Sequence, residues 1–253
     1  MTKKIVATIE ARMGSSRLPG KVMKEILGKP ILQIIFERAS KSKLLNEVVI
    51  ATTTNPRDDV IVEMCKKNNF LYYRGNEEDV LDRVLSAAKS RDADVIVELI
   101  SDNPLIDPEV IDQVVQFYLD NNYDYVSNFI PKVTFPTGIG AQVFSKDLLE
   151  EVDMLTNDLN DSEYTKNREN VTWYIYHHRE KYKIGNFEAT EIFNNSKIRL
   201  DLDNPEDFEL IKKIYENFNS LTVSLKDVLE FLMKNPELIQ INQKYLIGDE
   251  KYK

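Results

Sequence analysis

The chain has 253 residues, 42% of them apolar, enough to bury a substantial core. Thirty-three Lys and Arg face 42 Asp and Glu, and the resulting net charge of −9 argues against bulk electrostatic binding to nucleic acid or an anionic membrane. The single Cys65 excludes an intramolecular disulfide or a Cys-rich zinc site.

The N-terminal run IVATIEA, interrupted by Glu10, is too short for a secretory signal. No stretch approaches the ~18 apolar residues of a membrane span, so a soluble, cytoplasmic protein is expected. Short Val- and Ile-rich runs at Lys4–Glu10, Glu47–Thr53, Phe70–Tyr73 and Asp94–Ile100 predict strands. Helical periods at Ile31–Lys41, Arg57–Asn68 and Glu78–Arg91 separate them. Asn55-Pro56 and Asp107-Pro108-Glu109 are helix-start signals. Near-continuous apolar strands alternating with helices predict a mainly parallel sheet covered on both faces.

Further strands are expected at Asp124–Asn128 and Gln142–Ser145, with a Pro/Gly loop between them. The polar stretch Thr156–Asn167 reads as an exposed loop. A helix at Arg168–Arg179, strands at Tyr182–Phe187 and Lys197–Leu202, and helices at Pro205–Asn217 and Leu225–Lys234 complete the pattern. It describes one α/β domain with an insertion after the fifth strand.

The segment ARMGSSRLPGK, Ala11–Lys21, follows the first strand and carries three cations and no acid. Gly14 and Gly20 let the backbone approach a ligand, and Ser15 and Ser16 add donors. Arg12, Arg17 and Lys21 at a strand's carboxyl end suit a triphosphate. The spacing is not that of a Walker A loop, and Val22 stands where that loop has its Ser or Thr.

ARMGSSRLPGKVMKEILGKPIL resembles the N-terminal signature of the cytidylyltransferases related to spore-coat polysaccharide protein F and CMP-Kdo synthetase. The resemblance continues through Arg74-Gly75, DVLDR at Asp79–Arg83, DNPLIDP at Asp102–Pro108, and RLDLDNPEDF at Arg199–Phe208. It implies a Rossmann-like three-layer α/β/α sandwich of the nucleotide-diphospho-sugar transferase type. Residues 1–128 would form the nucleotide-binding half, 129–195 the acceptor segment and possible homodimer contact, and 196–253 the metal-binding strand and C-terminal helices.

Asp102 lies just after a predicted strand, at the carboxyl end where open α/β sheets bind ligands, and the resemblance makes it a metal ligand at the α-phosphate. Alternation along a strand projects Asp201 and Asp203 together. Magnesium takes one or two carboxylates plus phosphate oxygens, so Asp102 with Asp203, helped by Asp201, would hold it. Asp207 is expected in the first turn of the following helix. Asp79 and Arg83 could form an i,i+4 surface pair or part of a base and ribose wall. Thr52 and Thr53 are candidate base contacts.

FPTGIGAQVF, Phe135–Phe144, resembles the family's acceptor-pocket segment, with Thr137, Gly138, Gly140 and Gln142 as candidate acceptor residues. Thr137, Gly140 and Gln142 stand where acids are frequent in the family. Glu98 stands where Arg is common, Ser101 where Gly is common, and Glu10 where Gln is frequent. His177 and His178 point about 100° apart on a helix, which suits packing rather than a metal pair. Trp173, Tyr174 and Tyr176 beside them suit a dimer contact.

The expected activity is magnesium-dependent transfer of CMP from CTP to a sugar acid or sugar phosphate, with Arg12, Lys21 and Asp102 carrying the chemistry. The alternatives are a glycosyltransferase using Asp201-Leu202-Asp203 as its metal motif, and a non-catalytic nucleotide-binding protein.

Overall fold

The computed structural model describes residues 3–246. β1 (Ile5–Glu10) leads through the cationic loop to a two-strand hairpin, β2 (Glu25–Ile26) and β3 (Lys29–Pro30), and then to α1 (Ile31–Ala39). The next elements are β4 (Glu47–Thr53), α2 (Asp59–Asn68), β5 (Leu71–Gly75), α3 (Val80–Lys89), β6 (Val95–Ile100) and α4 (Pro108–Asp120). β7 (Tyr125–Ser127), β8 (Gln142–Ser145), α5 (Lys146–Leu155), α6 (Tyr164–Glu169), α7 (Trp173–His177) and β9 (Ile184–Asn186) form the middle. α8 (Pro205–Phe218), α9 (Leu225–Lys234) and the short α10 (Pro236–Ile239) follow.

The large sheet runs β5-β4-β1-β6-β8-β7-β9 and is parallel except for β8, which is antiparallel to both neighbours. Side chains of β1 alternate between the two faces. Ile5, Ala7 and Ile9 join a core with residues of α1, α4, α8 and α9, while Val6 joins one with residues of α3 and α5. The sheet is therefore covered on both faces, as the apolar strands required. Crossover geometry puts the carboxyl ends of β4, β1 and β6 on one edge, where the chain leaves for each helix.

Several helix starts follow the sequence signals. Asn55, Asp79, Asp107, Ser145 and Ser224 each accept a hydrogen bond from a backbone N–H of the first turn. α5 was not anticipated, although Ser145 three residues before Leu148 is its cap. α6 falls at the end of the stretch read as a loop.

The expected helix Arg168–Arg179 is two short ones, because Val171 and Thr172 turn inward between them. The Thr172 hydroxyl donates to Gln142 at 2.7 Å instead of supporting a continuous helix. The expected strand Lys197–Leu202 forms one isolated parallel bridge, Thr137 to Arg199, and is not a strand of either sheet. Its alternate side chains are engaged in ion pairs, described below. The 56–58 segment is a 3-10 turn preceding α2. Among the described residues no helix is long and apolar enough to cross a membrane.

Buried Arg38 of α1 donates to the carbonyls of Ile106, Leu221 and Val223 at 2.7, 3.0 and 3.0 Å. It fixes the loop after β6 against the start of α9, and Asp102 sits at the base of that loop.

Candidate active site

The 11–21 loop is shaped by its own backbone. The amides of Ser15 and Gly20 donate to the Met13 carbonyl at 3.0 and 3.2 Å, and Gly20 is left-handed at φ 67°. The Met13 amide donates to Asp58 at 2.7 Å, and buried Asp58 also accepts the Thr53 hydroxyl. Ala11 is buried, its amide donating to the Ala51 carbonyl at 3.2 Å. Gly14 packs under the Arg57 guanidinium, Ser15 Oγ accepts from the Leu18 amide at 3.4 Å, and Ser16 is exposed.

The loop's cations reach across the molecule. Lys21 Nζ donates to the Leu202 carbonyl at 2.8 Å and to Asp203 at 2.9 Å, and lies 3.9 Å from Asp102. Arg17 meets Asp203 at 3.0 Å, while Arg12 lies 3.7 Å from Glu77. Two of the three cations thus converge on the second aspartate motif.

Arg199 organises that motif. It pairs with Asp201 at 2.9 Å, Asp203 at 3.4 Å and Asp207 at 3.0 Å. Asp207 is wholly buried in the first turn of α8 and accepts from the Asn204 amide at 2.8 Å, closing a capping box. Burial opposes ionisation of Asp203 and Asp207. The charges beside them, Lys21 with Arg17 and Arg199 for the first and Arg199 for the second, outweigh it and hold both below the usual carboxylate range. Asp201 is different: burial, reinforced by the charge of Asp102, pushes it up to about 6 against the pull of Arg199.

Asp203 thus serves as counter-ion to three cations, Lys21, Arg17 and Arg199. Asp102, Asp201 and Asp203 are hard oxygen donors, and Asp102 lies close enough for its charge to act on Asp201. Among the described residues no group of three or more such side chains converges to hold a metal alone. A cation there would take its other ligands from phosphate oxygens and water. A backbone hydrogen bond from Leu202 to the Asp102 carbonyl, 2.8 Å, fixes the two segments to each other.

These aspartates, with Arg17 and Arg199, line one end of a cavity of about 390 Å³. Thr137, Gly138 and Gly140 line it too, and Phe129 and Phe135 give it apolar walls. Gly138 is indispensable in form: it has φ 87°, and a Cβ there would lie 2.4 Å from the Leu200 backbone. A side chain at 140 would meet the Phe129 ring at 2.8 Å, so the ring occupies the space of the acid frequent in the family.

Gln142 does not reach the cavity. It is buried on β8, accepting from Thr172 and Tyr125 and donating to Glu98 at 2.8 Å. Asp79 caps α3 and pairs with buried Arg168 at 2.7 Å, so it forms neither the surface pair with Arg83 nor an open base contact. Arg83 folds back onto the carbonyls of Asn76 and Glu77. Thr52 and Thr53 are buried; the Thr52 hydroxyl has no hydrogen-bond partner, whereas that of Thr53 is taken by Asp58. His177 and His178 stack separately on Trp173 and Tyr174.

Glu98 also meets Glu10 on the neighbouring strand. Burial pushes both above their ordinary 4.5, and the charge of Glu10 raises Glu98 further. The folded chain thus keeps a proton that the unfolded chain releases, and stability falls as pH rises from about 4.5 through the folded pKa values. Glu98→Gln is expected to flatten that fall, raising the melting temperature near pH 8 more than near pH 5. Thermal melts across this range check it; a parallel shift at all pH values would contradict the shared proton.

Arg199 and the cavity's aromatic walls were missed as site residues. The alternation of Arg199 with Asp201 and Asp203 was a readable signal for the first. Nothing in the local pattern marked Phe129.

A mainly parallel sheet whose first strand leads into a cationic loop, ion-paired to aspartates that line a cavity, suits an enzyme that handles nucleoside polyphosphates. The sequence pattern of the cytidylyltransferases matches residues 6–229. The chain is 35% identical to the spore coat polysaccharide biosynthesis protein SpsF of Bacillus subtilis, over 92% of this chain and 95% of that protein. It is 30% identical to a 3-deoxy-manno-octulosonate cytidylyltransferase of Trichlorobacter lovleyi, over 68% of this chain and 75% of that protein. A solved cytidylyltransferase from Leptospira borgpetersenii superposes with a TM-score of 0.85 at 36% identity, covering 94% of this chain and 98% of that one. The chain belongs to the cytidylyltransferase family and is a nucleotidyltransferase.

Proposed function

We propose that the protein transfers CMP from CTP to an oxygen of a sugar acid or sugar phosphate, releasing pyrophosphate, in the synthesis of a surface glycan. The observation that supports this best is Lys21 bridging from the loop after β1 to Asp203, beside Asp102, both aspartates lining the cavity. The relatives' names supply the CTP and sugar-acid chemistry.

In this reading the triphosphate takes over the cations now shared with Asp203. Arg12, Arg17 and Lys21 hold the leaving β- and γ-phosphates, Gly14, Ser15 and Ser16 contribute donors, and the acceptor approaches from the cavity past Thr137, Gly138 and Gly140. Catalysis is then in-line positioning and charge neutralisation, with no covalent intermediate. Magnesium held by Asp102 and Asp203, helped by Asp201, would neutralise charge at the α-phosphate and lower the acceptor hydroxyl's pKa. Asp203, released from the loop, keeps its partner Arg199. The half-buried aromatic residues of α7 are the proposed homodimer contact.

A glycosyltransferase reading has less support, because the pattern matched over residues 6–229 is that of the cytidylyltransferases. The test is pyrophosphate release from CTP, UTP and GTP with magnesium, against a panel of sugar acids and sugar phosphates. Acceptor-dependent release from CTP, abolished by a chelator, is the expected result. Nucleoside diphosphate release from a nucleotide sugar, with none from CTP, would overturn it.

A further inference from the structure

The family's defining pattern ends at residue 229, yet the segment after α9 returns to the active-site edge of the sheet. Leu238, Ile239 and Ile241 pack against the main core and bring the chain back. Asn242 then pins it to the charge cluster. It is 1% exposed, and its amide donates to the Arg199 carbonyl at 3.1 Å and to Asp207 at 2.9 Å. Beyond that anchor Lys244, Tyr245 and Leu246 line the cavity together with Phe129 and Phe135.

The chemistry of this wall is specific. Arg17 and Arg199, the other cations lining the cavity, are drawn to its aspartate end. Lys244 is held by Glu206 at 2.7 Å, with its side chain 62% exposed, and lies 4.8 Å over the Tyr245 ring. Exposed pairs of this kind contribute little, so Lys244 can exchange Glu206 for an incoming anion at small cost. Tyr245 is steadied by the hydrogen bond from its hydroxyl to Glu206 at 3.1 Å and offers a flat face beside Leu246.

We propose that Lys244 and Tyr245 are specificity residues for the acceptor, Lys244 pairing with an acceptor anion that is not the attacking group and Tyr245 stacking on the sugar's carbon face. The acceptor class is then a sugar carboxylate that attacks through a hydroxyl. A sugar phosphate attacks through its only anion, which must sit among Asp102, Arg199 and the loop cations instead. The assignment rests on the transfer reaction proposed above.

The test is steady-state kinetics at saturating CTP with two acceptors, 3-deoxy-manno-octulosonate and a hexose 1-phosphate, for wild type, Lys244→Ala, Lys244→Arg, Tyr245→Phe and Tyr245→Ala. Lys244→Ala is expected to raise the sugar-acid KM by roughly 10- to 100-fold, the effect of losing a hydrogen bond to a charged group. Its kcat, CTP KM and melting temperature should stay near wild type. Lys244→Arg and Tyr245→Phe should largely retain acceptor binding, and Tyr245→Ala should weaken it. An unchanged sugar-acid KM in Lys244→Ala, or a change confined to CTP, overturns the assignment alone, as does preferential use of the hexose phosphate. No pyrophosphate release by wild type with either acceptor overturns the transfer reading and the assignment with it.

Discussion

Alanine at Lys21 is expected to cut CTP-dependent pyrophosphate release by roughly 10²- to 10³-fold, the size of effect seen when one preorganised donor to developing charge is lost. The side chain is only 14% exposed, and its ammonium is directed by two short contacts, to the Leu202 carbonyl and Asp203. A side chain so constrained needs no reorganisation when phosphate replaces Asp203. The fold should survive, because Asp203 retains Arg17 and Arg199 and so is not left as an uncompensated charge. Single-turnover kinetics with a circular dichroism spectrum separate the two quantities. Near-normal release in a folded variant would remove Lys21 from the reaction.

Methionine at Arg199 is expected to lower stability by about 3–5 kcal/mol, the cost of removing one member of a buried charge network. The guanidinium is 6% exposed and faces three aspartates, one of them fully buried. Without it Asp207 keeps only hydrogen bonds from Asn204, Asn242 and the Asp203 amide. Asp207 is held below the usual carboxylate pKa largely by Arg199, so its contribution is present above the unfolded value of 3.8 and fades as pH falls through the folded one. The gap between wild type and Arg199→Met should therefore narrow in acid. Urea unfolding at neutral pH and near pH 3 checks both statements. By contrast Arg12→Ala, removing a pair to Glu77 from a side chain 43% exposed, should leave stability almost unchanged.

Much of this arrangement is legible in the sequence where a local rule decides it. The parallel strands follow from Val and Ile runs, and α9 occupies Leu225–Lys234, the range its period predicts. Side-chain commitments are harder, because they depend on partners far along the chain. Glu98 and Gln142 read as two unrelated departures from a family pattern. Their strands are antiparallel neighbours in register, and the two residues form one contact, an amide donating to a carboxyl. An acid where Arg is common has been matched by an amide where an acid is frequent. Asp79 similarly looked outward from its own helix, but its partner Arg168 lies 89 residues away. The split between α6 and α7 has the same origin, in a hydroxyl drawn to Gln142.

The hydrogen bond from Lys21 to Leu202 spans 181 positions of the chain. Contacts of that separation carry a large loop-closure cost and form late in folding. The cationic loop and its aspartates therefore meet only after most of the sheet is in place. During synthesis a chain that has not yet emerged past Asp207 lacks the buried carboxylate that anchors Arg199. Nucleotide binding thus reports completed folding, and CTP should protect the whole chain against unfolding rather than its N-terminal half alone.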